Sequence, residues 1–290
     1  DAQDRLFVSS FTDALIAEVL DDGTARTVSP SGMIAPGGVA VMQTPTGESV
    51  YMADFFGLRE YDAANGDMKS FEPTVLGVSE LHMPTTVTVD GENLILSSWP
   101  DNVVWLWDPA AHRLLEEYRN VEMPLNAIRF GDSIIVAELG TGSIVELSGT
   151  SPDDRTTLIE GLAMPIGLAE RDGSLWVSDA AIGAVFQIAR DGQFLSQPEM
   201  VTEGLAGPEG LAVAGDGSLL VVEAGVGSLS RIDLATGEIT PVADNLALGV
   251  VSPTAVPTAF FNGIAVGEDG AIYVSGDVDN LIYRMTPAKQ

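Results

Sequence analysis

Three observations in this 290-residue chain predict an all-β fold, a β-propeller of four-stranded antiparallel blades. First, a hydrophobic strand ending in a small or acidic residue, then a turn and a second strand, recurs seven times. The strand ends are Ser10, Asp54, Ser98, Glu138, Asp179, Glu223 and Gly276, at steps of 44, 44, 40, 41, 44 and 53 residues. A period of about 40–45 residues built from short strands is that of propeller blades. Second, proline leads into five of the six recognisable first strands, at Pro36, Pro84, Pro124, Pro165 and Pro208. Third, the turn after each second strand holds Asp13, Gly57, Asn102, Gly142, Gly183, Gly227 or Asn280. All seven are types that tolerate a left-handed backbone.

Residues 164–206 show one unit strand by strand. Met164-Pro165 leads into GLAE (167–170), the first strand. Asp172-Gly173 makes a tight hairpin, since both residues accept positive φ. SLWVSD (174–179) alternates with period two as the second strand, and AVFQIA (184–189) is the third. Asp191-Gly192 makes another hairpin before an outer strand within QPEMVTEG (197–204). First strands elsewhere begin at GGVAV (37–41), TTVTV (85–89), NAIRF (126–130), GLAV (210–213) and GIAV (263–266).

This reading makes residues 1–290 one propeller domain, with repeats near 1–30, 31–75, 76–120, 121–160, 161–204, 205–245 and 246–290. Second and third strands number seven, first and fourth strands only six. A seven-bladed ring is favoured over a six-bladed ring with one irregular repeat. The opening DAQDRLFVSS resembles the middle of a blade, so N-terminal strands of the ring are expected to lie outside this sequence. By blade length, about 20–35 upstream residues would complete a blade shared by both ends of the chain.

The chain carries 42 acidic and 13 basic residues, a net charge of −29. Nucleic acid and anionic membrane are therefore poor partners. No apolar run approaches the roughly 18 residues that span a bilayer, so membrane insertion is not expected. With no cysteine there is neither a disulfide framework nor a thiolate metal site. That fits exported and cytosolic proteins alike, and a secreted or periplasmic location is favoured.

In a propeller, the loops between blades and the turns after second strands open on one face. Candidate side chains there are Thr85, Asn126, Glu209 and Asn262 from first strands, and Asp54, Glu138, Asp179, Glu223 and Asp277 from second-strand ends. Carboxylates converging on one channel call for a cation or for protonation, whereas each singly can hold the amides of a nearby turn. His82, just ahead of a first strand, is the imidazole base available on this face, and His112 falls in a hairpin. No G-x-S-x-G surrounds Ser10, Ser97 or Ser98, which argues against a serine hydrolase. Phe55-Phe56 and Trp99-Pro100 occupy equivalent turns and form a candidate aromatic wall. The apolar stretch 244–262 is a candidate lid or protein-partner surface.

GPEGLAV (207–213), FFNGIAV (260–266) and LWVSDAAIGAVFQI (175–188) resemble the senescence-marker-protein/gluconolactonase family and related NHL-repeat propellers. The resemblance implies a divalent cation at the channel mouth, held by the carboxylate of P-[DE]-G and the asparagine of N-G. Here those are Glu209 and Asn262, with Asn126 a looser match one place later. Oxygen ligands suit Ca²⁺ first, then Mg²⁺ or Mn²⁺. The function so implied is a metal-assisted, lactonase-like hydrolase of a small lactone or sugar-like substrate, with Asp179 or His82 moving protons. The alternative is a non-catalytic scaffold that recognises a protein, peptide or glycan. The chain also has the length of the streptogramin-cleaving lyases, but it lacks their histidine-rich site.

Overall fold

The computed structural model describes residues 6–10, 15–19, 25–27, 36–74, 79–249 and 261–286, the first three stretches as backbone. Its β1 (Leu6–Ser10), β2 (Leu15–Val19) and β3 (Ala25–Thr27) form an antiparallel sheet of their own. Six further sheets follow. Blade I is β4 (Pro36–Thr44), β5 (Gly47–Asp54), β6 (Gly57–Asp62) and β7 (Met68–Pro73); blade II is β8 (Thr86–Asp90), β9 (Asn93–Ser98), β10 (Val103–Asp108) and β11 (Arg113–Tyr118). Blade III is β12 (Pro124–Phe130), β13 (Ser133–Glu138), β14 (Ser143–Leu147) and β15 (Arg155–Ile159); blade IV is β16 (Pro165–Arg171), β17 (Ser174–Asp179), β18 (Ala184–Arg190) and β19 (Gln193–Glu203). Blade V is β20 (Pro208–Val213), β21 (Leu219–Glu223), β22 (Ser228–Ile232) and β23 (Ile239–Ala243); blade VI has three strands, β24 (Ile264–Val266), β25 (Ile272–Gly276) and β26 (Leu281–Met285).

The turn chemistry is as the sequence predicts. Asp172 and Gly173 sit at φ 51° and 74°, Asp191 and Gly192 at 52° and 74°. Gly57, Asn102, Gly142, Gly183, Gly227 and Asn280 all have positive φ, whereas Asp13 lies outside the described residues. The outer strand of blade IV starts at Gln193, earlier than the expected 197, because the Asp191-Gly192 turn feeds it directly.

Alternation along each strand divides its side chains between two neighbouring blades. On β21, Leu219 and Val221 join a core with blade IV, while Leu220 and Val222 join one with blade VI. Five such cores link blades I to VI in chain order. A sixth joins the last blade to the first: Ala271 and Tyr273 pack on Val39, Val50 and Ala63. The same seam carries hydrogen bonds from Gln43 Nε2 to Glu268 Oε2 (3.1 Å) and from the Glu268 amide to Glu48 Oε1 (2.9 Å).

The ring is therefore closed by six blades, which corrects the favoured count of seven. A place in the ring is set by an inner strand, because β4, β8, β12, β16, β20 and β24 pack successively on one another and β24 packs on β4. Among the described residues the sheet β1–β3 supplies second, third and fourth strands and no inner strand. Counting second strands thus counts sheets, and counting first strands counts ring positions. Blade VI seats on blade I directly.

In four blades the inner strands approach so closely that a glycine faces the neighbouring blade. A Cβ on Gly167 would lie 2.1 Å from the Glu209 carbonyl oxygen, and one on Gly263 would lie 2.6 Å from Gly38 Cα. Serine hydroxyls then stitch the strands together. Ser178 Oγ accepts from the Gly167 amide (2.8 Å) and donates to the Glu209 carbonyl of the next blade (2.7 Å). Ser275 Oγ repeats this at the seam, accepting from the Gly263 amide (2.8 Å) and donating to the Gly37 carbonyl. Ser275→Ala leaves two buried backbone groups unpaired, which should cost about 1–3 kcal/mol in urea unfolding. Gly263→Ala should cost more than Ser275→Ala, since its new carbon meets backbone rather than a side-chain tip.

Candidate functional site

Four of the five proline lead-ins pair with the last residue of their second strand. Pro36 stands opposite Asp54, Pro124 opposite Glu138, Pro165 opposite Asp179 and Pro208 opposite Glu223. A register shift follows each pair, so the residue after proline is released from the ladder. Around the ring that position holds Gly37, Thr85, Leu125, Ile166, Glu209 and, in blade VI, Asn262. Leu125, Ile166 and Phe261, from blades III, IV and VI, share one cluster with Trp99, Leu139, Met164 and Ala180. Side chains from non-adjacent blades meet only at the axis of a ring. The channel mouth is therefore lined largely by apolar groups.

Two polar residues break that lining. Glu209 is 1% exposed, and its Oε2 accepts from both the backbone amide and Nδ2 of Asn262, each at 2.8 Å. Asn262 is 0% exposed, and its Oδ1 has no hydrogen-bond partner. An amide oxygen left unpaired in a buried position costs about 1–3 kcal/mol, so the pair is poised for a donor or a cation. The structure thus joins Glu209 and Asn262 directly. Asn126 is placed differently. It occupies the slot in which other blades carry Gly38, Gly167, Gly210 and Gly263, the slot that faces the neighbouring blade. Its Oδ1 accepts from the Ala127 amide at 2.8 Å.

The second-strand carboxylates act as clamps on the loops. Asp179 is fully buried; its oxygens accept from the amides of Ala163 (2.8 Å), Met164 (3.1 Å), Ala181 (3.2 Å) and Ile182 (3.2 Å). Four donors tie the loop before β16 to the turn after β17. Glu138 takes the Glu122 amide (3.0 Å), the Thr141 hydroxyl (2.8 Å) and Arg155 Nη2 (2.7 Å). Glu223 takes the Ala206 amide (2.8 Å), and Asp277 takes the Gly249 amide (2.8 Å). Asp54 pairs with buried Arg59 Nε at 2.9 Å. Thr85 donates to the Ser97 carbonyl at 3.0 Å.

In blade II the clamp position is Ser98, and a histidine stands nearby. His82 Nδ1 lies 3.6 Å from Asp101 Oδ2, and its Nε2 is buried without a hydrogen-bond partner. Arg119 bridges the same cluster through Glu117 (2.6 Å) and Asp101 (3.5 Å). The Arg119 hydrogen bond holds the Glu117 carboxyl below its usual range, opposed by partial burial, with Trp105 and His82 adding to the depression. His112 is half-exposed and pairs with Glu72 at 2.6 Å, away from the loop face. Phe55 and Phe56 meet edge to face at 5.7 Å, but of the expected aromatic wall only Trp99 joins the mouth cluster. Of the stretch 244–262, residues 250–260 lie outside the described residues; Leu248 is buried in the core between blades V and VI.

Sequence reasoning missed Leu125 and Ile166 as mouth-lining residues. The signal was the shared position after proline, which reads L, I and E in blades III, IV and V. Among the described residues no helix is long and apolar enough to cross a membrane, and no three His, Cys, Asp or Glu side chains cluster as metal ligands.

No protein-family model and no curated protein matches the chain. Solved structures do match its fold. Regucalcin from Agrobacterium tumefaciens strain C58, a calcium-binding protein, aligns with TM-score 0.58 at 15% identity over 84% of this chain and 82% of its own. A catalytically inactive virginiamycin B lyase from Staphylococcus aureus, solved with quinupristin, gives 0.55 at 15% over 87% and 85%. A chain of a nidogen–laminin complex gives 0.59 at 16% over 90% and 97%. The fold is thus a β-propeller, shared by proteins of unlike activity.

The clamp geometry of Asp179 has a direct consequence. Asp179→Asn turns an amino group toward amide donors and should cost about 2–3 kcal/mol in urea unfolding. Unchanged stability in that variant would remove the clamp assignment.

Proposed function

We propose that the chain is a metal-assisted hydrolase of a small lactone or sugar-like substrate, working at the mouth lined by Leu125, Ile166 and Phe261. The observation that carries this reading is the buried Glu209 carboxylate beside the unpaired Oδ1 of Asn262. One carboxylate and one amide oxygen suit a hard divalent cation that keeps most of its water. Regucalcin's description as calcium-binding supports the choice of ion, and the S. aureus lyase supports catalysis on this fold. Glu209 and Asn262 would hold the ion, which when bound supplies polarisation of the substrate carbonyl and a more acidic water. Asn126 enters this set only by giving up its bond to the Ala127 amide.

The chain's own residues supply the remainder. Leu125, Ile166 and Phe261 exclude bulk water from the carbonyl and favour a compact ring over a charged substrate. The Glu209 hydrogen bonds fix the Asn262 side chain, so its oxygen is preorganised. Proton transfer falls to His82, whose Nδ1 lies 3.6 Å from Asp101, because the Asp179 oxygens are engaged by four amides. Imidazole is the side chain suited to that task near neutral pH.

The test is thermal and chemical unfolding with and without Ca²⁺, Mg²⁺ or Mn²⁺, alongside hydrolysis of a panel of aliphatic and sugar lactones. At 100 times the dissociation constant the bound ion should add about 2.7 kcal/mol. Glu209→Ala should abolish that gain and reduce turnover at least about a hundredfold. Stability unmoved by all three ions would overturn the reading.

A further inference from the structure

The loop face of blades IV to VI carries a feature that the hydrolase reading does not use. Eight large hydrophobic side chains are conspicuously exposed among the described residues, and six of them belong to these three blades. Four lie in or beside the turns after the second strands: Ile182 (48% exposed), Val226 (62%), Val278 (52%) and Leu281 (42%). The fold does not require this. The positions equivalent to Ile182 and Val226 are Asp101 in blade II and Thr141 in blade III, and those turns close equally well. A run of aliphatic tips on consecutive blades is the mark of a contact surface.

Charge identifies what fits it. The described basic residues of blades IV to VI are Arg171, Arg190, Arg231 and Arg284, and all four lie at the opposite, hairpin end. Each is already paired there, with Asp172, Glu199, Asp216 and Asp269 respectively. At the loop end the same blades present exposed Glu203, Asp244 and Asp279, with Glu160 on the adjoining rim of blade III. The aliphatic arc thus sits in a field of one sign with no described cation to offset it. A second copy of the chain, also at −29, would be repelled, and so would an anionic lipid or nucleic-acid surface.

We infer that this arc is a docking surface for a basic amphipathic peptide segment, whose apolar residues cover Ile182, Val226 and Val278 while its Lys and Arg side chains meet the acidic rim. The inference stands apart from the hydrolase reading and uses neither Glu209 nor a metal.

The experiment is a fluorescence-anisotropy titration of the full chain with a labelled amphipathic peptide of Leu and Lys, and with a Leu/Glu counterpart. The Leu/Lys peptide should bind in a salt-sensitive way and the Leu/Glu peptide should not. The double variant Ile182→Ser, Val226→Ser should weaken binding about tenfold or more. These side chains are exposed, so folding is not at stake, and circular dichroism verifies it. Met68→Ser, at the 54%-exposed hairpin-face methionine, and Glu209→Ala should leave affinity unchanged. Equal affinity in the double variant, or an equal loss in Met68→Ser, would mean adventitious charge attraction and would overturn the proposal. So would a concentration-dependent dimer that the double variant abolishes, which would assign the arc to a second copy.

Discussion

The close approach of six inner strands around one axis is the constraint on which the rest of this molecule depends. In four of the six blades it rests on glycine removing the Cβ, at Gly38, Gly167, Gly210 and Gly263, because each missing carbon would fall on the next blade's backbone or its first side chains. The residue before that glycine is freed from the ladder by the register shift after proline, which lets it turn toward the axis. Architecture thereby creates a ring of positions at the mouth without dictating what fills them. The glycine in P-E-G and N-G belongs to the ring; the glutamate and asparagine beside it are free to serve chemistry.

A buried carboxylate means different things according to what its oxygens touch. Asp179, Glu138, Glu223 and Asp277 each reach a backbone amide of the incoming loop, so the negative charge holds two loops in one geometry. Glu209 reaches instead across to the next blade's asparagine, and that contact leaves an amide oxygen with nothing to bind. The clamps set the height and tilt of each lead-in, which in turn fixes where Glu209 and Ile166 stand. Breaking a clamp would therefore disturb the site indirectly.

Much of the fold was legible because it rests on local rules. Asp-Gly hairpins, left-handed turn residues and alternating strands are written within a few residues, and the observed dihedrals agree with them. The ring count was not, because it depends on which sheets pack, and the recurring second-strand phrase is silent about that. For the site, the motifs pointed to Glu209 and Asn262, which do meet. Asn126 matched by spelling but stands one register position over, and one residue in a strand reverses the face. The clamps look like catalytic acids in sequence, since what marks them is the donor set folded around them. Leu125 and Ile166 looked like ordinary strand residues until the axis brought them to Phe261.

The propeller separates stability from recognition more cleanly than most folds. The six inter-blade cores are built mainly from residues inside the strands, closed at the loop end by buried lead-in residues such as Leu81, Val121, Leu205 and Leu248. Exchanging Thr141 for an exposed isoleucine or valine at the equivalent turn, as blades IV and V have done, leaves those cores untouched. Exposed aliphatic side chains at that place contribute nothing to folding and carry a solubility cost, which a charge of −29 offsets. The same charge confines the cations to ion pairs and leaves the loop end of blades IV to VI without any among the described residues. Apolar tips and an unrelieved acidic rim thus occur together on one arc, beside a mouth whose only described carboxylate–amide pair is also held by blades V and VI. Half of the ring carries both features, and the other half supplies the closure that keeps them in place.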